Sequence, residues 1–234
     1  METTRITAFL NWRKRRGEGD MKKLNLGCGQ HVVDGWINVD YALGARMFKV
    51  LLFSTMNRKL HFFKNEWDRR ILIHDLRRKF PFQEGSIDVV YSSHTLEHFT
   101  REDGRRFLEE CHRVLRSDGI IRIVVPDLEH FVEGYTRGKM RADEFCEKLL
   151  CLPSVSGKGT LRRFLVNMFS FPHQCMYDTE TLLAILRGIG FRAESRGPLE
   201  SDIEDIGNIE IVDRTAGSVV VEGRRAASPF DDGI

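Results

Sequence analysis

Short runs of apolar, often β-branched residues alternate along the chain with stretches whose apolar positions recur at helical spacing. Seven runs read as strands: Lys22–Leu26, Gly35–Tyr41, Ile71–His74, Ile87–Ser92, Ile120–Val125, Phe191–Ser195 and Ser218–Glu222. The near-continuous apolar character of the first five suits parallel strands covered on both faces. Turn residues punctuate them. Gly27-Cys28-Gly29 ends the first, Gln83-Glu84-Gly85-Ser86 precedes the fourth, and Asp118-Gly119 and Pro126 bracket the fifth.

Between the strands lie helical patterns. Thr100-Arg101-Glu102-Asp103 has the form of a capping box, and Phe107, Leu108, Cys111, Val114 and Leu115 then fall on one helical face. Gly119 is placed to stop that helix in a left-handed conformation. Asp127–Leu150 reads as a second helical region with a break at Gly138. Asp178 caps a third, with Leu182, Leu183, Leu186 and Ile189 inward and Gly188 and Gly190 as its stop. The acidic stretch Glu200–Asp205 reads as a solvated loop. Strand and helix in alternation predict an α/β fold, a single doubly wound and mostly parallel sheet with helices on both faces.

Composition narrows the picture. The chain has 234 residues and 41% apolar residues, enough for one sizeable core. Its 36 Lys+Arg nearly cancel 34 Asp+Glu, so a strongly basic nucleic-acid binder is not indicated. No apolar run approaches the roughly 20 residues that span a bilayer. The five cysteines include no C-x-x-C pair, which suits a reducing, cytoplasmic compartment and argues against a disulfide scaffold or cysteine-based zinc site. Residues 1–20, with the cluster Arg13-Lys14-Arg15-Arg16, read as an N-terminal arm ahead of one domain over 21–234. Insertions are expected near 43–70 and 151–176. In the first, Met47–Trp67 reads as a core-facing helix whose far end could act as a lid. In the second, Lys158, Arg162 and Arg163 precede Phe164–Phe171.

Ligands of doubly wound sheets bind outside the carboxyl ends of the strands, which directs attention to Gly27–Gln30, Asp40, Asp75 and Ser92–His94. Glycines at 27 and 29 allow unusual backbone angles and close approach of a ligand. Asp40, at the end of the next strand, is placed to accept from ribose hydroxyls. A dinucleotide fingerprint is not met: Val32 holds the third glycine position, and Asp40 follows Gly29 by only eleven residues, room for one helical turn. A cofactor with a ribose but no phosphates fits better. His94-Thr95-Leu96-Glu97-His98 matches the H-x-x-E-H zinc pattern. That pattern needs one continuous helix, whereas His94 follows a strand and Thr100 starts the helix, so no metal is expected.

The series KLNLGCG, GWINVD, HDL…FPF, IDVVYSSHTLEHF, LRSDGIIRIVVPD and HQCMYD…LLAILRGIGF resembles the class I S-adenosylmethionine-dependent methyltransferases over roughly residues 21–226. The resemblance implies a seven-stranded Rossmann-like sheet, S-adenosylmethionine as cofactor, and roles for particular residues. Gly27, Cys28 and Gly29 would pass under the methionine part of the cofactor, with Asn25 accepting from its amino group. Asp40, with Tyr41 beside it, would bind the ribose. Asp75 and the backbone of Leu76 would hold the adenine. Ser92, Ser93 and His94 would line the transferring methyl. His31 stands where the family's loop usually has a third glycine. The expected acceptor is a small molecule or glycan, methylated on a hydroxyl, as in polysaccharide or natural-product pathways. His94 is the first candidate base and His173 the second, with Tyr177 or Asp178 orienting the acceptor. The alternatives are a cofactor-binding partner module without activity, and a zinc hydrolase built on His94, Glu97 and His98.

Overall fold

The computed structural model describes residues 21–49, 66–150 and 172–226. Seven strands form one sheet: β1 (Lys23–Leu26), β2 (Trp36–Asp40), β3 (Leu72–Ile73), β4 (Ile87–Ser93), β5 (Leu115–Pro126), β6 (Phe191–Ser195) and β7 (Ser218–Arg225). Their order is β3-β2-β1-β4-β5-β7-β6. The β1–β2, β2–β3, β1–β4 and β4–β5 pairs are parallel, and β7 runs antiparallel to β5 and β6. The connection order reverses between β1 and β4, which creates a crevice at their carboxyl ends.

The helices follow the sequence signals, with two corrections. In α2 (Arg101–Val114) the Thr100 hydroxyl accepts from Asp103 N at 3.1 Å, and Phe107, Leu108, Cys111 and Val114 are buried. The helix ends at Val114, because Leu115 turns extended (φ −66°, ψ 138°) and starts β5 at once. Gly119 therefore lies inside β5, and Asp118 takes the left-handed angle (φ 59°). Glycine is required at 119 for closeness: a Cβ there would sit 3.0 Å from Arg116 O and 3.1 Å from Asp88 O. In α5 (Thr179–Ile189) the Asp178 carboxylate accepts from Thr181 N at 2.7 Å, and Gly190 (φ 116°) ends the helix. Gly188 is helical, so it does not share in the stop.

Three further helices are α1 (Leu43–Phe48), α3 (Leu128–Thr136) and α4 (Ala142–Leu150). The expected break near Gly138 separates α3 from α4, and neither helix buries a residue. A last short helix, α6 (Val212–Thr215), precedes β7. The N-terminal arm, most of the Met47–Trp67 stretch and residues 151–171 lie outside the described residues. Of that stretch, Phe48 is buried, and the Trp67 indole packs on Gly44, where a Cβ would meet Nε1 at 2.2 Å.

Strand alternation divides the core. Leu24, Leu26, Ile121, Ile123 and Val125 pack with Phe107, Leu108, Leu182 and Leu186 from α2 and α5. On the opposite face Val89, Tyr91, Ile120 and Val124 pack with Ile203, Ile206 and Ile209. The acidic stretch is thus no free loop: Ile203 inserts into the core, and Asp205 accepts from Lys23 Nζ at 2.6 Å and Trp36 Nε1 at 3.1 Å. Arg122 shares this second face and is fully buried. Its guanidinium donates to Glu210 Oε2 (2.7 Å) and Oε1 (2.9 Å), Glu222 Oε2 (3.2 Å), Glu200 O (2.8 Å) and Gly197 O (3.0 Å). Those five bonds use all five of its donors and hold residues 197–210 down on the sheet.

Candidate functional site

The glycine turn after β1 is fixed from below and open above. Gly27 N and Cys28 N both donate to Val39 O, at 2.9 and 3.1 Å, which ties the turn to β2. Gly27 (φ 72°) lies against Thr95: a Cβ on it would stand 2.0 Å from Thr95 Oγ1. Gly29 (φ 55°) would meet nothing within 4 Å, so its backbone is open to a ligand. Gly27→Ala should therefore cost about 1–3 kcal/mol through overpacking. Gly29→Ala should meet only the left-handed backbone penalty of about 1–2 kcal/mol. Thermal melts of the two variants check this order.

Asp40 organises the same loop. Its Oδ2 accepts from Gly29 N at 2.8 Å and its Oδ1 from Ala42 N at 2.6 Å. The carboxylate thus sets the turn and the chain leading into α1, and each oxygen keeps lone-pair capacity for a hydroxyl. Tyr41 follows, its ring under the Arg46 guanidinium at 4.7 Å. Between Gly29 and β2 the chain forms turns and no helix, so the short crossover is shorter still than the single turn expected.

Asn25 is buried, and its amide donates to Asn38 Oδ1 at 2.9 Å and His31 O at 3.1 Å. These bonds consume its NH2 and leave Oδ1 as the end available for acceptance. Asn38, the register partner of Asn25 on β2, also receives from Val33 N at 3.1 Å. His31 reaches across to Ile209 O at 3.1 Å, joining the loop to the segment that Arg122 anchors.

Asp75 lies just beyond β3, beside Asp40, whose carbonyl accepts from His74 N at 3.1 Å. It takes two bonds of 2.9 Å from the Arg77 side chain and one of 3.1 Å from Arg77 N. The Arg77 guanidinium holds its carboxyl below the usual range. Leu76 is buried.

At the end of β4, Ser92 is buried and donates to Leu26 O at 3.0 Å, so its hydroxyl ties β4 to β1. Ser93 lines a narrow pocket with Asn25, Gly27, Cys28, Tyr91 and Arg214. Burial raises the Cys28 thiol, with the nearby Asp40 charge adding to it, so it stays protonated. Burial likewise pushes the Tyr91 phenol up to about 12.

His94 sits at φ 51°, with Nε2 2.7 Å from Arg214 O and Nδ1 3.3 Å from Glu97 Oε1. Burial pulls its pKa down, but the Glu97 carboxylate and the Arg214 carbonyl outweigh this and hold it above the ordinary value. Only a single tight turn, Leu96–His98, follows before Thr100 caps α2. The continuous helix demanded by the zinc-hydrolase pattern is absent from this segment. His173 lies apart from the pocket lining, with Nδ1 2.9 Å from Leu149 O, and burial lowers its pKa. Tyr177 is a core residue against Gly104, and Asp178 is spent on its helix cap. Neither is placed to orient an acceptor.

Sequence reasoning missed Thr95, Asn38 and Arg214, and it weighed Glu97 only within the H-x-x-E-H pattern. Only Asn38 carried a signal, a second asparagine in register with Asn25 on a buried strand. A larger cavity, lined by Arg187, Arg192, Glu194, Arg196, Asp202 and Arg224, opens on the β6–β7 edge, far from the strand crevice. Its Arg224 and Asp202 pair with each other at 2.9 Å, as do Arg196 and Glu194 at 2.5 Å.

Residues 24–123 match the model of a methyltransferase domain. A Methanosarcina mazei S-adenosylmethionine-dependent methyltransferase is 13% identical over 93% of this chain and 98% of that one, with a TM-score of 0.52. A Thermotoga maritima S-adenosylmethionine-dependent methyltransferase, described as a possible histamine N-methyltransferase, is 18% identical over 94% and 89% of the two chains, with a TM-score of 0.44. No curated protein matches the chain. Residues 24–123 thus match a methyltransferase domain, and the fold is one that an S-adenosylmethionine-dependent methyltransferase shares.

Proposed function

We propose that the protein methylates a hydroxyl of a small-molecule or glycan acceptor, with no nucleic-acid partner, in cytoplasmic polysaccharide or natural-product biosynthesis. The single domain over 21–234 with its arm and two insertions belongs to the same reading. The observation that carries it is the glycine turn: closed by Thr95 at Gly27, open at Gly29, and held by Asp40 at the crevice between β1 and β4. Asn25 with Gly27, Cys28 and Gly29 would hold the methionine part of the cofactor. Asp40 and Tyr41 would hold the ribose, and Asp75 and Leu76 the adenine. Ser93 would face the methyl, with Ser92 positioning its strand.

Bound there, the cofactor supplies a methyl group already activated on a sulfonium, so the protein's task is positioning and exclusion of water. His94 lies next to Ser93, and its Nε2 proton-transfer position is occupied by the Arg214 carbonyl. Facing a carbonyl, Nε2 carries a proton; once that proton is lost to solvent and the acceptor hydroxyl takes the place of the carbonyl, the freed Nε2 lone pair would receive the hydroxyl proton while Glu97 accepts from Nδ1. The near-neutral charge supports an acceptor other than nucleic acid. The free thiols of Cys28, Cys111, Cys146 and Cys175 support a reducing compartment. Among the described residues no helix is long and apolar enough to cross a membrane.

A screen of methyl transfer over sugars and hydroxylated metabolites tests the acceptor class; transfer confined to amines would overturn it. With the acceptor in hand, His94→Ala should lower kcat about 10²–10⁴-fold, the usual contribution of a general base. Affinity for S-adenosylhomocysteine should stay nearly unchanged. Full turnover in this variant removes His94 from the role.

A further inference from the structure

Beyond the cofactor pocket, one carboxylate and two imidazoles converge where the Leu96–His98 turn meets the chain after residue 171. One ligand atom from each of Glu97, His98 and His173 lies within 4.8 Å of the others. Glu97 is 1% exposed, and neither of its oxygens has an aligned hydrogen-bond donor among the described residues. His94 Nδ1 pairs with Oε1 at 3.3 Å, and its pKa is raised by it, while Oε2 has no contact of this kind among the described residues. One cationic neighbour at Oε1 leaves Oε2 buried with capacity for a second.

The two imidazoles are set up as ligands. His173 Nδ1 faces Leu149 O at 2.9 Å, and His98 Nδ1 faces Pro172 O at 3.4 Å. Metal-bound histidines characteristically direct one ring NH to a carbonyl, which fixes the tautomer with its lone pair on Nε2. The rings lie 5.2 Å apart between centroids. The backbone straps the cluster together: Gln174 N and Cys175 N donate to Glu97 O at 2.8 and 3.2 Å, and Gln174 Nε2 to His98 O at 2.8 Å.

We propose that Glu97, His98 and His173 form a binding site for one divalent transition-metal cation of the zinc class. Two imidazole nitrogens and one carboxylate oxygen are a known three-ligand set for zinc that leaves a fourth position open. Bonds of about 2.0–2.2 Å place tetrahedral ligand atoms about 3.4 Å apart, so the three side chains would draw together by roughly 1 Å. The set differs from the discounted H-x-x-E-H reading because His173, 76 positions after Glu97 in sequence, replaces His94. His94 then links the ion's carboxylate to Arg214 on the pocket wall. Use of the ion toward an acceptor oxygen would rest on the functional reading above, but its binding does not.

The test is calorimetric titration of the full chain, first treated with a chelator, with zinc chloride and separately with cobalt chloride. The wild type should take up one equivalent of zinc, and the cobalt form should show the intense visible bands of tetrahedral coordination. His98→Ala and His173→Ala should each weaken zinc binding about tenfold or more, while Cys146→Ser and Cys175→Ser leave it unchanged. Titration of the same samples with S-adenosylhomocysteine serves as the folding control, and it fails separately if the cofactor reading is wrong. No zinc uptake by the wild type, unchanged affinity in both histidine variants, or loss confined to the cysteine variants would overturn the proposal.

Discussion

Arg122→Ala is expected to destabilise the protein by about 3–5 kcal/mol, the usual consequence of removing one partner from a buried ionic cluster. Total stabilities are typically only about 5–15 kcal/mol. The effect comes less from the bonds lost than from what remains. Glu210 and Glu222 are both buried, and without the guanidinium their charges face each other across the void. Backbone donors remain on both, from Leu199 N to Glu210 Oε1 at 2.6 Å and from Asp202 N to Glu222 Oε1 at 2.8 Å. Urea unfolding measures the cost. The triple change Arg122→Met, Glu210→Gln, Glu222→Gln should recover a large part of it, because the amides still accept those backbone bonds without carrying charge. A triple variant as unstable as the single one would assign the loss to packing. The consequence should also reach the pocket, since Ile209, beside Glu210, meets His31 of the loop after the glycine turn.

Asp40→Ala is expected to weaken S-adenosylhomocysteine binding by about a hundredfold. Hydrogen bonds to a charged group are worth about 1.5–3 kcal/mol each. Two of them at the low end give about 3 kcal/mol, close to two decades in Kd. Two effects act in the same direction: the ribose would lose its acceptor, and Gly29 N and Ala42 N lose theirs, so the loop is no longer pre-set. Titration calorimetry reads the affinity, and a thermal melt separates it from unfolding. As a control, Asp118→Ala removes an exposed acid at the start of β5, paired with Arg192 at 2.7 Å and Arg224 at 3.1 Å, and should bind as the wild type does. Unchanged affinity in Asp40→Ala would count against the whole cofactor assignment.

Local signals made much of the architecture legible. Each strand run appears in the sheet within a few residues, because parallel strands buried on both faces need near-continuous apolar sequence. Thr100 and Asp178 cap their helices as read, since capping is decided within three residues. The misplacement of Gly119 shows where this fails. A glycine after an amphipathic run looks like a helix stop, yet here it is needed for contact with Asp88 O on the neighbouring strand, a long-range relation.

The candidate site divides along the same line. Gly27, Gly29 and Asp40 were visible because they lie within fourteen consecutive residues, and strand topology alone brings them together. Asp75 also looked like a site acid, but its bonds to Arg77 are equally local and were foreseeable. Thr95, which closes the glycine turn, carried no signal, because threonine after a strand is ordinary until Gly27 is found against it. The stretch 200–205 was misjudged for lack of one fact, the burial of Arg122. A single arginine in an apolar strand has no readable partner until Glu210 and Glu222 arrive from 88 and 100 residues away.

By itself, then, the sequence determined the sheet and the helix starts at Thr100 and Asp178, because periodicity and capping act over a few residues. Only the tertiary structure decided what the buried charges do. Arg122 with its two glutamates, and Glu97 with His98 and His173, are assembled by chain segments remote in sequence. Burial strengthens electrostatic interactions and penalises unpaired charges, and it is a property of the folded whole.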